Sequence, residues 1–221
     1  MKSFISSLLR AAGLQAGQNE GGPLPIQHLR AQAEAGNVVA QNQLARHYYE
    51  GKGVEKDYAE AAKWLRKAAG KGDAAGMNNL GRLYYDGNGV EKNHEAAVKW
   101  WRTAAEQGDG AAKVNLGRCY ANGNGVQKDY VEAVRWFEEA AEQGRTDAQS
   151  SLGLHYLMGW GVAKDYAEAY AWFNLASTTD GGAAGSRDQM EKTMPPQQIA
   201  EAQKRTKELR SQIESKSNTR K

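Results

Sequence analysis

The sequence repeats itself at a spacing of 36 residues, and this repetition constrains the fold more than any other feature. In that register, four consecutive copies keep the same residue types in many columns without a single insertion. The clearest columns are Leu44, Leu80, Leu116 and Leu152; Tyr48, Tyr84, Tyr120 and Tyr156; and Trp64, Trp100, Trp136 and Trp172. A chain of this kind is a stack of similar units in which each unit contacts mainly its neighbours.

Each copy is predicted to contain two helices. In the second copy the first helix is expected over residues 75–86. The glycine pair Gly87/Gly89 that follows ends this helix, because glycine can adopt the left-handed conformation. The second helix of the first copy begins at the N-cap Asp57, and Glu60 completes a capping box. A single helix pair cannot bury both of its apolar faces, so the sequence predicts an all-α solenoid of stacked helix–turn–helix repeats.

The repeat register and the sequence around it divide the chain into segments. Leu29 aligns with Leu65, which indicates a half-repeat before the first full copy, and Pro195–Pro196 mark the start of a last helix. That helix carries a thin apolar seam with Ile199 and Leu209. The predicted segments are a lead-in at 1–22, a half-repeat helix at 23–37, repeats at 38–73, 74–109, 110–145 and 146–181, a linker or short helix at 182–194, a capping helix at 195–215 and a basic tail at 216–221.

Charge and cysteine content argue against several classes of partner and cofactor. The net charge of +3 divides into +5 for residues 203–221 and −2 for the rest, and no aromatic residue follows Phe173, so no nucleic-acid partner is expected. One cysteine, Cys119, cannot form an internal disulfide, and no Cys/His spacing resembles a zinc site, so neither a metal nor a cofactor is predicted. No run of 18 apolar residues is present, so no membrane span is expected. Arg10 interrupts the N-terminal apolar stretch, which favours a cytoplasmic protein over one exported to the periplasm by a cleaved signal.

No sequence motif of a known enzyme class is present. The chain lacks the H-E-x-x-H, G-x-S-x-G and P-loop patterns. His47 and His155 share one repeat column with Leu83 and Cys119, so this column suits packing better than catalysis or ligand binding. No catalytic residue is predicted.

The recurring columns resemble a known family. The patterns A-x-x-x-L-G-x-x-Y, G-x-G-V-x-K-D-Y-x-E-A and W-x-x-x-A-A-x-x-G across residues 38–180 are similar to those of the Sel-one-like repeat (SLR) family of bacterial proteins, with His94 replacing one tyrosine. The resemblance implies a right-handed, tetratricopeptide-like superhelix and a non-catalytic adaptor or scaffold that binds a protein or peptide. The alternatives are an exported envelope or host-interaction factor of the same family, a hydrolase, or a polyanion-binding protein that uses the basic tail.

The resemblance further implies that the first helices line a concave groove. Arg46, Arg82 and Arg118 then form an arginine column that could hold an acidic segment or a free C-terminus. The alternative is a solvated helix face with arginines paired to Glu50 or Asp86. The groove residues assigned by column are Asn42, Gln43, Arg46, Tyr49, Asn78, Asn79, Arg82, Tyr85, Asn115 and Arg118.

The fourth repeat places apolar residues where the earlier repeats are mostly polar. These residues are Leu154, Leu157, Met158 and Trp160, termed here the apolar end cluster. An exposed apolar cluster is either a partner site or the seat of another part of the chain. Because a solenoid end must be covered, residues 182–213 are predicted to fold back over it, in a chain expected to be monomeric.

Overall fold

A computed structural model describes residues 26–219, which form eleven α-helices and no strand. The predicted all-α solenoid is therefore confirmed. The predicted lead-in at 1–22, the first three residues of the half-repeat and the last two of the tail lie outside the described residues. The helices are α1 (Ile26–Glu34), α2 (Val38–Glu50), α3 (Tyr58–Ala69), α4 (Ala74–Asp86), α5 (His94–Glu106), α6 (Gly110–Asn122), α7 (Tyr130–Ala141), α8 (Thr146–Met158), α9 (Tyr166–Ala176), α10 (Gly181–Thr193) and α11 (Pro196–Thr219).

Helix ends form where the sequence places caps. The Asp57 carboxylate accepts hydrogen bonds from the backbone N–H groups of Ala59 and Glu60, at 2.8 and 3.0 Å. At the end of α4, Gly87 has a φ of 78°, and its N–H donates to the carbonyl of Leu83. These caps satisfy backbone groups that the helix itself leaves unpaired.

The core consists of the recurring leucines together with close helix contacts at glycine. Leu44, Leu80, Leu116 and Leu152 are fully buried. In repeats 2, 3 and 4 the next glycine, at 81, 117 and 153, faces an aromatic ring of the second helix. A methyl group at Gly153 would lie 2.7 Å from Phe173 Cδ1, so only glycine lets α8 and α9 approach this closely.

A hydrogen bond between an arginine and a tyrosine hydroxyl links adjacent units. Arg66 donates to Tyr84 at 3.3 Å, and the same bond forms between equivalent residues one unit earlier and one unit later. In the third repeat Glu138 takes the place of this linking arginine and lies beside Tyr156 of the fourth repeat. The linking pattern therefore changes at the C-terminal end.

Helix α10 takes the position of a further first helix. Asp180 caps it and accepts a hydrogen bond from Ser150, just as Asp73 caps α4 and accepts one from Asn42 at 2.7 Å. The segment predicted as a linker or short helix at 182–194 is thus the helix Gly181–Thr193.

Helix α11 packs against α9 and covers the last repeat. Ala202, Thr206 and Leu209 of its apolar seam are buried. Arg205 pairs with Glu168 at 2.6 Å and Lys216 with Glu142 at 2.5 Å. The helix continues to Thr219, past the expected end at 215, and the Lys216 ion pair holds part of this extra turn. Across residues 26–219, no helix has both the length and the apolarity needed to cross a bilayer.

Candidate functional site

Six of the predicted groove residues line one open cavity of about 520 Å³ between α2 and α4, termed here the groove cavity. Leu65 and Leu83 form part of its apolar wall. Glu50, at the end of α2, completes the polar rim. The six predicted residues are Asn42, Gln43, Arg46, Tyr49, Asn79 and Arg82.

One of the two arginines in this cavity is already paired within the chain. Arg46 Nε lies 2.6 Å from Glu50 Oε1, and Lys52 Nζ lies 2.9 Å from Glu50 Oε2. The hydrogen bonds from Arg46 and then Lys52 lower the pKa of Glu50 to about 2. For Arg46 the structure therefore agrees with the alternative given above, an arginine on the helix surface paired with Glu50.

Arg82 and two amides keep their polar groups available. The guanidinium of Arg82 lies 5.1 Å from the centroid of the Tyr49 ring, and no carboxylate within residues 26–219 pairs with it. The side chains of Gln43 and Asn79 make no hydrogen bond inside that same range. The cavity thus offers a cation on an aromatic surface next to two amides, a combination that suits a carboxylate and a peptide backbone.

The other predicted groove residues lie outside the groove cavity. Asn115 donates to the side-chain oxygen of Asn78 at 3.0 Å, so these two amides are partly satisfied by each other. Tyr85 stacks on His94 with ring centroids 4.5 Å apart, and its hydroxyl accepts a hydrogen bond from Asn124. Arg118 is exposed, and no ion pair involves it in the described part of the chain.

The prediction that the C-terminal region covers the apolar end cluster is wrong for three of its four residues: two are exposed, and Trp160 packs on the third repeat. Leu154 and Met158 are 42% and 50% exposed. Trp160 is half-buried and stacks on Tyr130, with centroids 5.4 Å apart. The reason is that the seam of α11 packs near Trp172 on α9, on another face of the repeat.

Leu157 instead lines a second cavity of about 780 Å³, termed here the end cavity. Its apolar walls also come from Tyr166, Met190, Met194 and Pro195. Sequence reasoning missed this cavity because the 36-residue columns stop before α10. A usable signal was Asp180, which could have been recognised as the N-cap of another first helix.

The reactive side chains of Cys119 and His155 are both buried in the helical core. Cys119 is 1% exposed, and burial raises the pKa of its thiol to about 12, which opposes nucleophilic or metal-ligand chemistry. His155 is buried and hydrogen-bonds to the carbonyl of Trp160 at 2.9 Å. Among residues 26–219, no three His, Cys, Asp or Glu side chains are grouped in a way that could hold a metal ion.

Solved structures of similar repeat proteins support the fold. The chain is 38% identical, with a TM-score of 0.70, to the c5321 protective antigen of uropathogenic Escherichia coli, over 73% of this chain and 35% of that one. It thus spans about a third of the antigen. A Sel1 repeat protein from Oxalobacter formigenes is 34% identical with a TM-score of 0.67, over 74% of both chains. An immunity protein of Pseudomonas aeruginosa, 21% identical over 94% of this chain and 82% of its own with a TM-score of 0.54, shares the fold.

The sequence itself matches a family model in the same register. The Sel1 repeat model matches residues 38–73, 74–109, 110–144 and 146–178, which together make up more than half of the chain. No curated protein sequence matches it. Proteins of this family generally mediate protein–protein interactions and are non-enzymatic. The chain belongs to the Sel1 repeat family.

Proposed function

We propose that this Sel1 repeat protein is a non-catalytic scaffold that holds an extended segment of another protein along its first helices, with an acidic residue or free C-terminus of that segment on Arg82 and Arg118. The observation that carries the proposal is the groove cavity. There Arg82 lies over Tyr49 without a carboxylate partner in the described chain, beside the amides of Gln43 and Asn79, which make no hydrogen bond within residues 26–219.

The arrangement favours a polypeptide over a small rigid ligand. Backbone amides of an extended chain need both donors and acceptors, which asparagine and glutamine side chains supply together. Arg118 occupies the same column one repeat further on, so a chain that leaves Arg82 along this face next meets a second exposed guanidinium. Guanidinium groups bind carboxylates through two parallel hydrogen bonds.

The test is affinity capture from the native lysate with the full chain and with an Arg82→Ala/Arg118→Ala variant. The variant is expected to lose most of the captured partner, because both carboxylate-binding groups are gone. A Lys99→Ala/Arg135→Ala variant is the matched control, since it removes the same charge from exposed positions on the second helices α5 and α7. Equal capture by all three proteins would refute the groove as the binding surface.

A further inference from the structure

The end cavity is the structural equivalent of the groove cavity, several helices further along the same face. Asn79, Arg82 and Leu83 are the sixth, ninth and tenth residues after the N-cap Asp73. Counted in the same way from the N-cap Asp180, the corresponding residues are Ser186, Gln189 and Met190, which all line the end cavity. Tyr49 and Leu157 correspond as well, since each is the twelfth residue after the cap of its helix.

The two cavities differ in chemistry. Arg46, Glu50 and Arg82 give the groove cavity charge, whereas the end cavity has no charged residue among those of 26–219 that line it. Leucine, tyrosine, proline and two methionines form its apolar walls, and the neutral side chains of Ser186, Gln189, Thr193 and Gln198 complete the lining. Methionine adapts its shape to different apolar guests. Its volume of about 780 Å³ lies within the usual range of ligand sites, roughly 300–1,000 Å³.

Gly185 in α10 leaves part of the end cavity open, although no neighbouring atom in the described chain requires a glycine there. Glycine within a helix is less stable than alanine, so its presence there needs a cause. At Gly153 the cause is the ring of Phe173, which a methyl group would meet. At Gly185, which lines the end cavity, a methyl group would meet no atom within 4 Å. The space in front of Gly185 is therefore suited to a side chain from outside.

We propose that the end cavity receives one large apolar side chain of the same polypeptide whose acidic part lies on Arg82 and Arg118. This inference rests on the function proposed above. Leu154 follows Arg118 in the arginine column, and with Met158 it exposes apolar surface on α8, the helix whose Leu157 lines the cavity. Charge complementarity places the acidic part of the guest near the arginines, and the uncharged cavity takes its apolar residue.

The probes are fluorescein-labelled synthetic peptides with an acidic cluster at one end and a single leucine at the other, made with several spacings and in both chain directions. Each has a partner in which leucine is replaced by alanine. Binding to the full chain is measured by fluorescence polarisation. We expect the best leucine peptide to bind about tenfold more tightly than its alanine partner, as burial of a leucine side chain predicts.

The variant Gly185→Leu fills the cavity and should bind the leucine and alanine peptides equally. Gly181→Leu is the matched control, because Gly181 also has open space in front of it but does not line the cavity. It should keep the tenfold preference. Thermal unfolding by circular dichroism verifies that both variants are folded, as expected for glycine replacement in a helix.

A leucine preference that survives Gly185→Leu overturns the proposal. If peptides bind through Arg82 but show no leucine preference, the scaffold function stands and the anchor cavity fails. If no peptide binds, both proposals fail. Phe4 and Leu8 belong to the N-terminal apolar stretch that Arg10 interrupts. If Phe4→Ala/Leu8→Ala shifts the methyl resonances of Met190 and Met194 without peptide, the occupant is the chain's own N-terminal segment and the partner proposal is overturned.

Discussion

Repeats 1–3 and the C-terminal end of the solenoid join their helices in different ways. Along the first three repeats an arginine of one unit donates to a tyrosine hydroxyl of the next, as Arg66 does to Tyr84. At the end, Glu138 takes the place of this linking arginine, and the charged partner comes from outside the repeats, through the Arg205–Glu168 pair. The link thus changes from a cation with a neutral hydroxyl to a true ion pair.

The same division appears on the groove face. One repeat column holds Arg46, Arg82 and Arg118 in the first three repeats and Leu154 in the fourth. In parallel, the charged groove cavity has an uncharged counterpart in the end cavity. Positions that recur in every copy specify how the helices stack, since each copy must fit the next. Positions that change toward the last copy mark where the chain ends its repeats and where its surface is specialised.

The largest effect should come from the recurring core. Replacing the fully buried Leu116 with alanine is expected to lower the free energy of unfolding by about 2–5 kcal/mol, because it leaves a cavity. Leu154→Ala is the control, as that side chain is 42% exposed and should change stability by less than about 0.5 kcal/mol. Urea unfolding followed by circular dichroism measures both. Similar losses for the two variants would contradict the assignment of core and groove positions.

Two glycines should respond to alanine with opposite signs. Gly153→Ala places a methyl group 2.7 Å from Phe173 Cδ1 and should destabilise the protein by about 1–3 kcal/mol. Gly185→Ala meets no atom within 4 Å and should stabilise it by about 0.5–1 kcal/mol through helix propensity. Melting temperatures of the two variants distinguish these cases. A loss of stability at Gly185 would show that α10 packs more closely than the structure indicates.

The repeated part of the fold could be predicted from the sequence because its signals are local and occur four times. Caps such as Asp57 and glycines such as Gly87 fix helix ends through contacts within a few residues. The Gly81 column also recurs in repeats 2–4 and marks a close approach of two helices, but the ring that occupies the space, Trp101, cannot be deduced from the spacing.

The C-terminal end could be predicted only in part because its contacts are made across long sequence distances. The apolar seam of α11 was evident from spacing, and Leu209 is buried as expected. Which face of the last repeat it covers depends on distant partners such as Trp172 and Glu168, and a single amphipathic helix carries no information about them. For the same reason the groove residues were found by column, whereas the end cavity, formed by α8, α9, α10 and the start of α11, was not.

His155 should make the end of the solenoid sensitive to acid. Burial lowers its pKa below the ordinary value of 6.5, so the unfolded chain binds a proton more readily than the folded one. The stability associated with the neutral ring is present above pH 6.5 and is lost as the pH falls below it, with a slope of at most about 1.4 kcal/mol per pH unit. His155→Leu, which copies Leu83 of the second repeat, should reduce this slope. Equal pH slopes in urea unfolding of the two proteins would contradict the prediction.

The smallest expected effect comes from the Arg205–Glu168 ion pair, and it tests directly whether this pair links the end of the solenoid as the Arg–Tyr hydrogen bonds link the repeats. The Arg205 and Glu168 side chains are 33% and 19% exposed, so a double-mutant cycle with Arg205→Met and Glu168→Gln should give a coupling of about 0.5–1 kcal/mol. Salt should weaken this coupling, because a partly exposed ion pair is screened. Arg205→Met should also cost more than Glu168→Gln, since it leaves Glu168 near Glu138, whose pKa is raised by burial and by Glu142.

The matched measurement is Arg66→Met, which removes the link to the neutral hydroxyl of Tyr84. Its cost should depend little on salt, because no second charge takes part. Hydrogen exchange of the α11 amides should accelerate in Arg205→Met but not in Arg66→Met, since only the first variant loses a contact of that helix. If the two variants respond alike to salt and leave α11 equally protected, then the Arg205–Glu168 pair has no role in placing α11, and the Leu209 seam and the Lys216–Glu142 pair hold it.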